Sequence, residues 1–109
     1  MLVVQGNTPA ALDHALYAEV NAKRGSKKAR RVSEIRRLTL EYLTSEKAQE
    51  GDGEVTRAEV VAYVKSEMTY GFWMILLPIL IQIVVKLIMD WFFSSNEARG
   101  QAFAMARAK

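Results

Sequence analysis

The chain has 109 residues, one histidine, no cysteine and a formal charge of +3. That length allows one small domain plus one further element, and the missing thiols exclude a disulfide framework, a thiolate nucleophile and cysteine-based zinc or iron–sulfur sites. Half of the residues are hydrophobic, and they are concentrated in one stretch.

Met1 to Val4, followed by Gln5, Gly6 and Asn7, forms neither a basic n-region nor an apolar h-region, so no cleavable signal peptide is expected. Thr8 can cap a helix whose first residue is Pro9, where a missing N–H is harmless. Gly25 can take the left-handed conformation that ends it, giving a helix over 9–24 with Ala11, Leu12, Ala15, Leu16 and Val20 on its apolar side. Ser26 opens a second helix to about Gln49, on which Val32, Ile35, Leu38, Tyr42 and Leu43 recur at helical spacing. Gly51-Asp52-Gly53 is a turn signal. After it, Thr56-Arg57-Ala58-Glu59 fits a capping box, and Val60, Val61, Val64 and Met68 give a third helix its apolar face.

Residues 71–93, GFWMILLPILIQIVVKLIMDWFF, then run apolar except for Gln82, Lys86 and Asp90. As one helix the stretch would rise about 34 Å, enough for a hydrocarbon core about 30 Å thick. Trp73 and Trp91, with Tyr70 and Phe92 beside them, fall where the two interfacial aromatic belts would lie. The alternative, a core helix of a globule, needs a surrounding wall that the rest of so small a chain supplies poorly. Ser94, Ser95 and Asn96 can cap a short tail helix weakened by Gly100. The expected architecture is all-α: a domain of about three helices over 1–70, a transmembrane helix over 71–93 and a helical tail over 94–109. The expected location is a membrane crossed once, with the N-terminal domain inside.

Charge is uneven. Lys23, Arg24, Lys27, Lys28, Arg30, Arg31, Arg36 and Arg37 stand against Glu34 alone over residues 23–37, a local +7, whereas residues 41–67 carry a local −4. Three readings fit: a basic helix neutralised by an acidic neighbour, attraction to anionic lipid headgroups, or nonspecific contact with nucleic-acid phosphates. The last lacks interleaved aromatics or a recognition motif. Positive charge close to the span is nearly balanced, and the inside preference for the N-terminal domain rests on the remoter basic cluster.

Within the apolar stretch, Pro78, Gln82, Lys86 and Asp90 recur every four residues and form a slanting stripe. It reads as a seam for a partner helix or a pore lining, with Pro78 kinking the helix; alternatively Lys86 and Asp90 merely pair at the interface.

Asp52, Gly53, Val55, Thr56 and Glu59 occupy the spacing of a calcium loop's fifth, sixth, eighth, ninth and twelfth positions. The segment resembles the second half of an EF-hand, and Asp52, Glu54, Thr56 and Glu59 are the ligands that the resemblance implies. It departs at the first and third positions, Ala48 and Glu50, so weak calcium affinity is the expectation, with no other cofactor. His14 has no evident catalytic partner and the carboxylates from Glu41 to Glu67 read as a solvated face, so no enzyme is expected. The function expected is a structural or accessory subunit of a membrane-associated assembly, in a bacterial envelope or a membrane-containing virion. Its alternatives are a self-associating pore or lysis protein and a membrane-tethered calcium module. The expected partners are a lipid bilayer, other protein subunits and further copies of the chain, with nucleic acid at most nonspecific.

Overall fold

The computed structural model describes residues 8–45, 47–48, 55–68 and 77–107, and every regular element among them is helical. Helix α1 spans Pro9–Glu19, α2 Lys27–Leu43, α3 Arg57–Glu67, α4 Leu77–Phe92 and α5 Asn96–Arg107. The all-α expectation is met.

Helix starts follow local chemistry. Thr8 Oγ1 accepts from Ala11 N at 3.1 Å with Pro9 next in sequence, and Ser26 Oγ accepts from Ala29 N at 3.1 Å. Thr56 and Glu59 close the expected capping box, and Ser95 Oγ accepts from Ala98 N at 3.1 Å to start α5. The end of α1 differs from expectation. Asn21, with φ of 53°, takes the left-handed position, and Asn21 N and Ala22 N donate to Ala18 O and Tyr17 O, the paired bonds of a Schellman cap. Asparagine tolerates this region better than other non-glycine residues, so α1 stops before Gly25. Gly25, φ 81°, instead turns the chain between Lys23 and Ser26, whose N–H donates to Lys23 O at 3.0 Å.

The apolar faces meet in one core. α4 packs against all four other helices, and α2 likewise contacts α1, α3, α4 and α5. From α4 the core receives Ile81, Val84, Val85, Leu87, Ile88, Trp91 and Phe92. At about 1.5–3 kcal/mol per large buried side chain, these contribute on the order of 10–20 kcal/mol before conformational entropy is subtracted. That exceeds any surface ion pair by an order of magnitude. The wall around α4 is built from Leu12 and Leu16 of α1, Val32, Ile35 and Leu43 of α2, Val60 and Val64 of α3, and Ala98 and Ala102 of α5, all within 1% of full burial. Thr39, the buried polar side chain of α2, returns its hydroxyl to Ile35 O at 2.7 Å. The Trp91 indole N–H is buried with no acceptor among the described residues, which costs about 1–3 kcal/mol.

This packing corrects the membrane expectation. No described helix is long and apolar enough to cross a membrane; α4 has 16 residues, a rise of about 24 Å. Pro78 falls in the first turn of α4, a position that proline tolerates, and not in the middle of a described helix. Trp91 and Phe92, expected at a lipid interface, are each 2% exposed inside the core, while Tyr70 and Trp73 lie outside the described residues. The wall thought too thin suffices because α4 needs enclosure on only part of its circumference: Ile79, Gln82 and Asp90 face outward. The radius of gyration, 13.2 Å, matches the roughly 13 Å of a compact chain this long. The single-pass location and its inside orientation therefore do not stand.

Two glycines give opposite outcomes. A Cβ at Gly100 meets nothing within 4 Å inside α5, so Gly100→Ala should stabilise by about 0.5–1 kcal/mol. A Cβ at Gly25 also meets nothing, but its φ of +81° strains any other residue, so Gly25→Ala should destabilise by about 1–2 kcal/mol. Urea unfolding of both variants checks the signs.

Candidate polyanion-binding surface

The eight sequence-predicted cations separate into two groups. Arg36 and Arg37 are used within the fold: Arg36 Nε lies 3.0 Å from Asp13 Oδ1 of α1, and Arg37 Nη1 lies 3.1 Å from Glu41 Oε2 one turn along α2. Burial pushes the Asp13 carboxyl above its ordinary value, and the Arg36 guanidinium opposes the rise without cancelling it. The other six, Lys23, Arg24, Lys27, Lys28, Arg30 and Arg31, line the α1–α2 turn and the first five residues of α2. All but the half-buried Arg31 are exposed.

Local folding sets this arrangement. Ala29 and Val32 are buried, while Lys27, Lys28 and Arg30 are exposed in the first turn of α2 and Arg31, one turn before the buried Ile35, is half-buried. From Val20 to Ser33 the sequence has no acid. The first turn of α2 holds no acidic residue either, so the partial positive charge of the helix N-terminus adds to the cations. Lys27 stands three and four residues from Arg30 and Arg31, and Lys28 three from Arg31. Each such like-charge neighbour costs a few tenths of a kcal/mol.

A cleft of about 500 Å³, unforeseen from sequence, continues along α2 from the patch, lined by Ser33, Arg36, Arg37, Leu40, Glu41, Met105 and Ala106. It depends on α5 folding back over α2, which no local signal announces. Ser33 also meets Tyr17, their hydroxyl oxygens 2.7 Å apart, tying α1 to α2.

The remaining candidates have other places. Lys86 and Asp90 pair at 3.2 Å on the outer side of α4, with Pro78 and Gln82 on the same side. His14 is exposed on α1. Of the EF-hand-like ligands, Asp52 and Glu54 lie outside the described residues, whereas Thr56 and Glu59 serve the α3 cap. Glu59 Oε2 accepts from the Tyr42 hydroxyl at 2.6 Å and Oε1 from Thr56 N at 2.9 Å. Among the described residues no three His, Cys, Asp or Glu side chains gather as a metal site. Comparisons with protein-family models, curated proteins and solved structures return no match.

The Tyr42 hydroxyl, then the Thr56 N–H, hold the Glu59 carboxyl below its ordinary value, and the same bond raises Tyr42. A carboxylate with a lowered folded pKa contributes stability above its unfolded pKa and loses it as pH falls through the folded value. Glu59→Gln keeps an acceptor for the cap but removes the charge. Its stability deficit against wild type should be present at pH 7 and shrink below the ordinary carboxylate range; an undiminished deficit in acid urea titrations would remove the charge explanation.

Proposed function

We propose that this chain is a non-enzymatic accessory protein that binds the phosphate backbone of nucleic acid, without sequence preference, through Lys23, Arg24, Lys27, Lys28, Arg30 and Arg31. One observation carries the reading: cations are crowded onto a helix start where the macrodipole and their mutual repulsion both disfavour them. Packing does not account for Lys27, Lys28 and Arg30, which are exposed and crowd like charges onto the first turn of their own helix, whereas an external polyanion does.

Nucleic acid is favoured over a lipid surface because an interfacial helix buries its apolar face among acyl chains. The apolar face of α2, including Val32, Ile35 and Leu43, is already occupied by the core. What remains is an arc of charge, suited to successive phosphates. Among the described residues no exposed aromatic belongs to the α1–α2 turn or the first turn of α2, which fits backbone contact without base stacking. The earlier pore reading required the spanning helix and is not carried forward.

If all six cations neutralise phosphates on a DNA duplex, the logarithm of affinity should fall against the logarithm of salt with a slope near −5, at about 0.9 per contact. Mixed-sequence duplexes should bind alike, and the K27Q/K28Q/R30Q variant should lower the slope magnitude by about 3. The same variant should unfold at higher urea, gaining up to about 1 kcal/mol as repulsion is relieved. Fluorescence anisotropy in a salt series reads the first effects. Failure to bind duplex or single strand at about 50 mM salt, or binding to anionic vesicles alone, would overturn the proposal.

A further inference from the structure

The outer face of α4 carries a pattern unrelated to the basic patch. Ile79, Gln82, Ile83, Lys86, Asp90 and Phe93 fall within about 100° of one another around the helix. Phe93 belongs to the set because its N–H still donates to Met89 O at 3.0 Å, continuing the helical bonding one residue past Phe92. Ile79 is 60% exposed and Phe93 39%, the two large hydrophobics most exposed to solvent among the described residues, and both lie on this stripe. Lys86 and Asp90 pair between them at 3.2 Å in the lysine-first order, the weaker arrangement for supporting a helix.

The stripe is complementary to itself. When a second α4 is laid antiparallel about a two-fold axis at the level of Ile88, Lys86 faces Asp90 twice, Ile83 faces Phe93 twice, and Gln82 comes opposite Ser94. We propose that this face docks a second copy of the chain as an antiparallel two-fold dimer. The two intrahelical Lys86–Asp90 pairs then join into a ring of four alternating charges. Ile83 is covered by a ring that is already held in place, since Phe93 stands edge-on to Phe92 with centroids 4.9 Å apart and has the Arg99 guanidinium 5.5 Å from its centroid. Ile79 lies one turn further out, over the partner's turn that follows Phe93. Parallel docking would set lysine against lysine and aspartate against aspartate, so charge selects the antiparallel arrangement and closes the assembly at two.

A face about 24 Å long and one helix wide buries less than the roughly 800 Å² per partner of a stable complex. The dimer is therefore weak and reversible, with dissociation between about 1 μM and 1 mM. It uses none of the six patch cations, and so stands or falls separately from nucleic-acid binding.

Sedimentation velocity on the full chain, up to about 1 mM at low salt, tests the proposal. Wild type should pass from monomer to dimer with concentration. K86E puts two carboxylates on the stripe and D90K two ammonium groups, so each alone should associate about ten-fold more weakly or not at all. An equimolar mixture of the two should recover a heterodimer. Should a single variant fail to fold by circular dichroism, the K86E/D90K double variant, which keeps the pair with its signs exchanged, must dimerise like wild type. A wild type that stays monomeric, a mixture of folded variants that does not associate, or an assembly larger than two would each overturn the proposal.

Discussion

Enclosure of the apolar side of α4 is the constraint on which the other helices depend. Ile81, Val84, Val85, Ile88 and Trp91 form a buried ridge, and all four neighbouring helices place apolar residues against it. α2 commits the most: Val32, Ile35, Leu38 and Leu43 face inward over its length. That commitment fixes the rotation of α2, and with it which of its cations stay exposed. The surface chemistry of α2 is thus a by-product of how the core is closed.

Features decided within a few residues were legible in the sequence. Thr8 with Pro9, Ser26, Thr56 with Glu59, and the Ser94–Asn96 tail cap each use a side-chain oxygen to satisfy the first N–H groups of their own helix, so no distant partner is needed. Even there, Asn21 displaced Gly25 as the end of α1, because two residues able to adopt positive φ lie four apart and local chemistry does not rank them. The basic cluster was legible by composition. Its division was not: Arg36 is taken by Asp13, 23 positions away, through a contact that exists only once α1 lies on α2.

The apolar stretch was misread for a physical reason. Hydropathy reports the solvent that a helix avoids, and a packed protein interior and a lipid interior satisfy that preference equally well. Gln82, Lys86 and Asp90 meant that one side must meet something polar, but water, a partner helix and a pore all qualify. Pro78 resolves differently in a helix that starts at Leu77 than in one that starts several residues earlier.

The crowded cations at the start of α2 have a thermodynamic consequence. Repulsion present in the isolated protein is relieved whenever an anion settles on Lys27, Lys28 and Arg30, so any such ligand acts as a counterion for the fold as well as a partner. By linkage, an anion that bound there in the folded state alone would stabilise it by RT ln(1 + [L]/Kd). The turn held by Gly25 and the Ser26 cap are the parts closest to this relief. The first turn of α2, and not the α4 core, is therefore where surrounding ionic strength acts on the fold most directly.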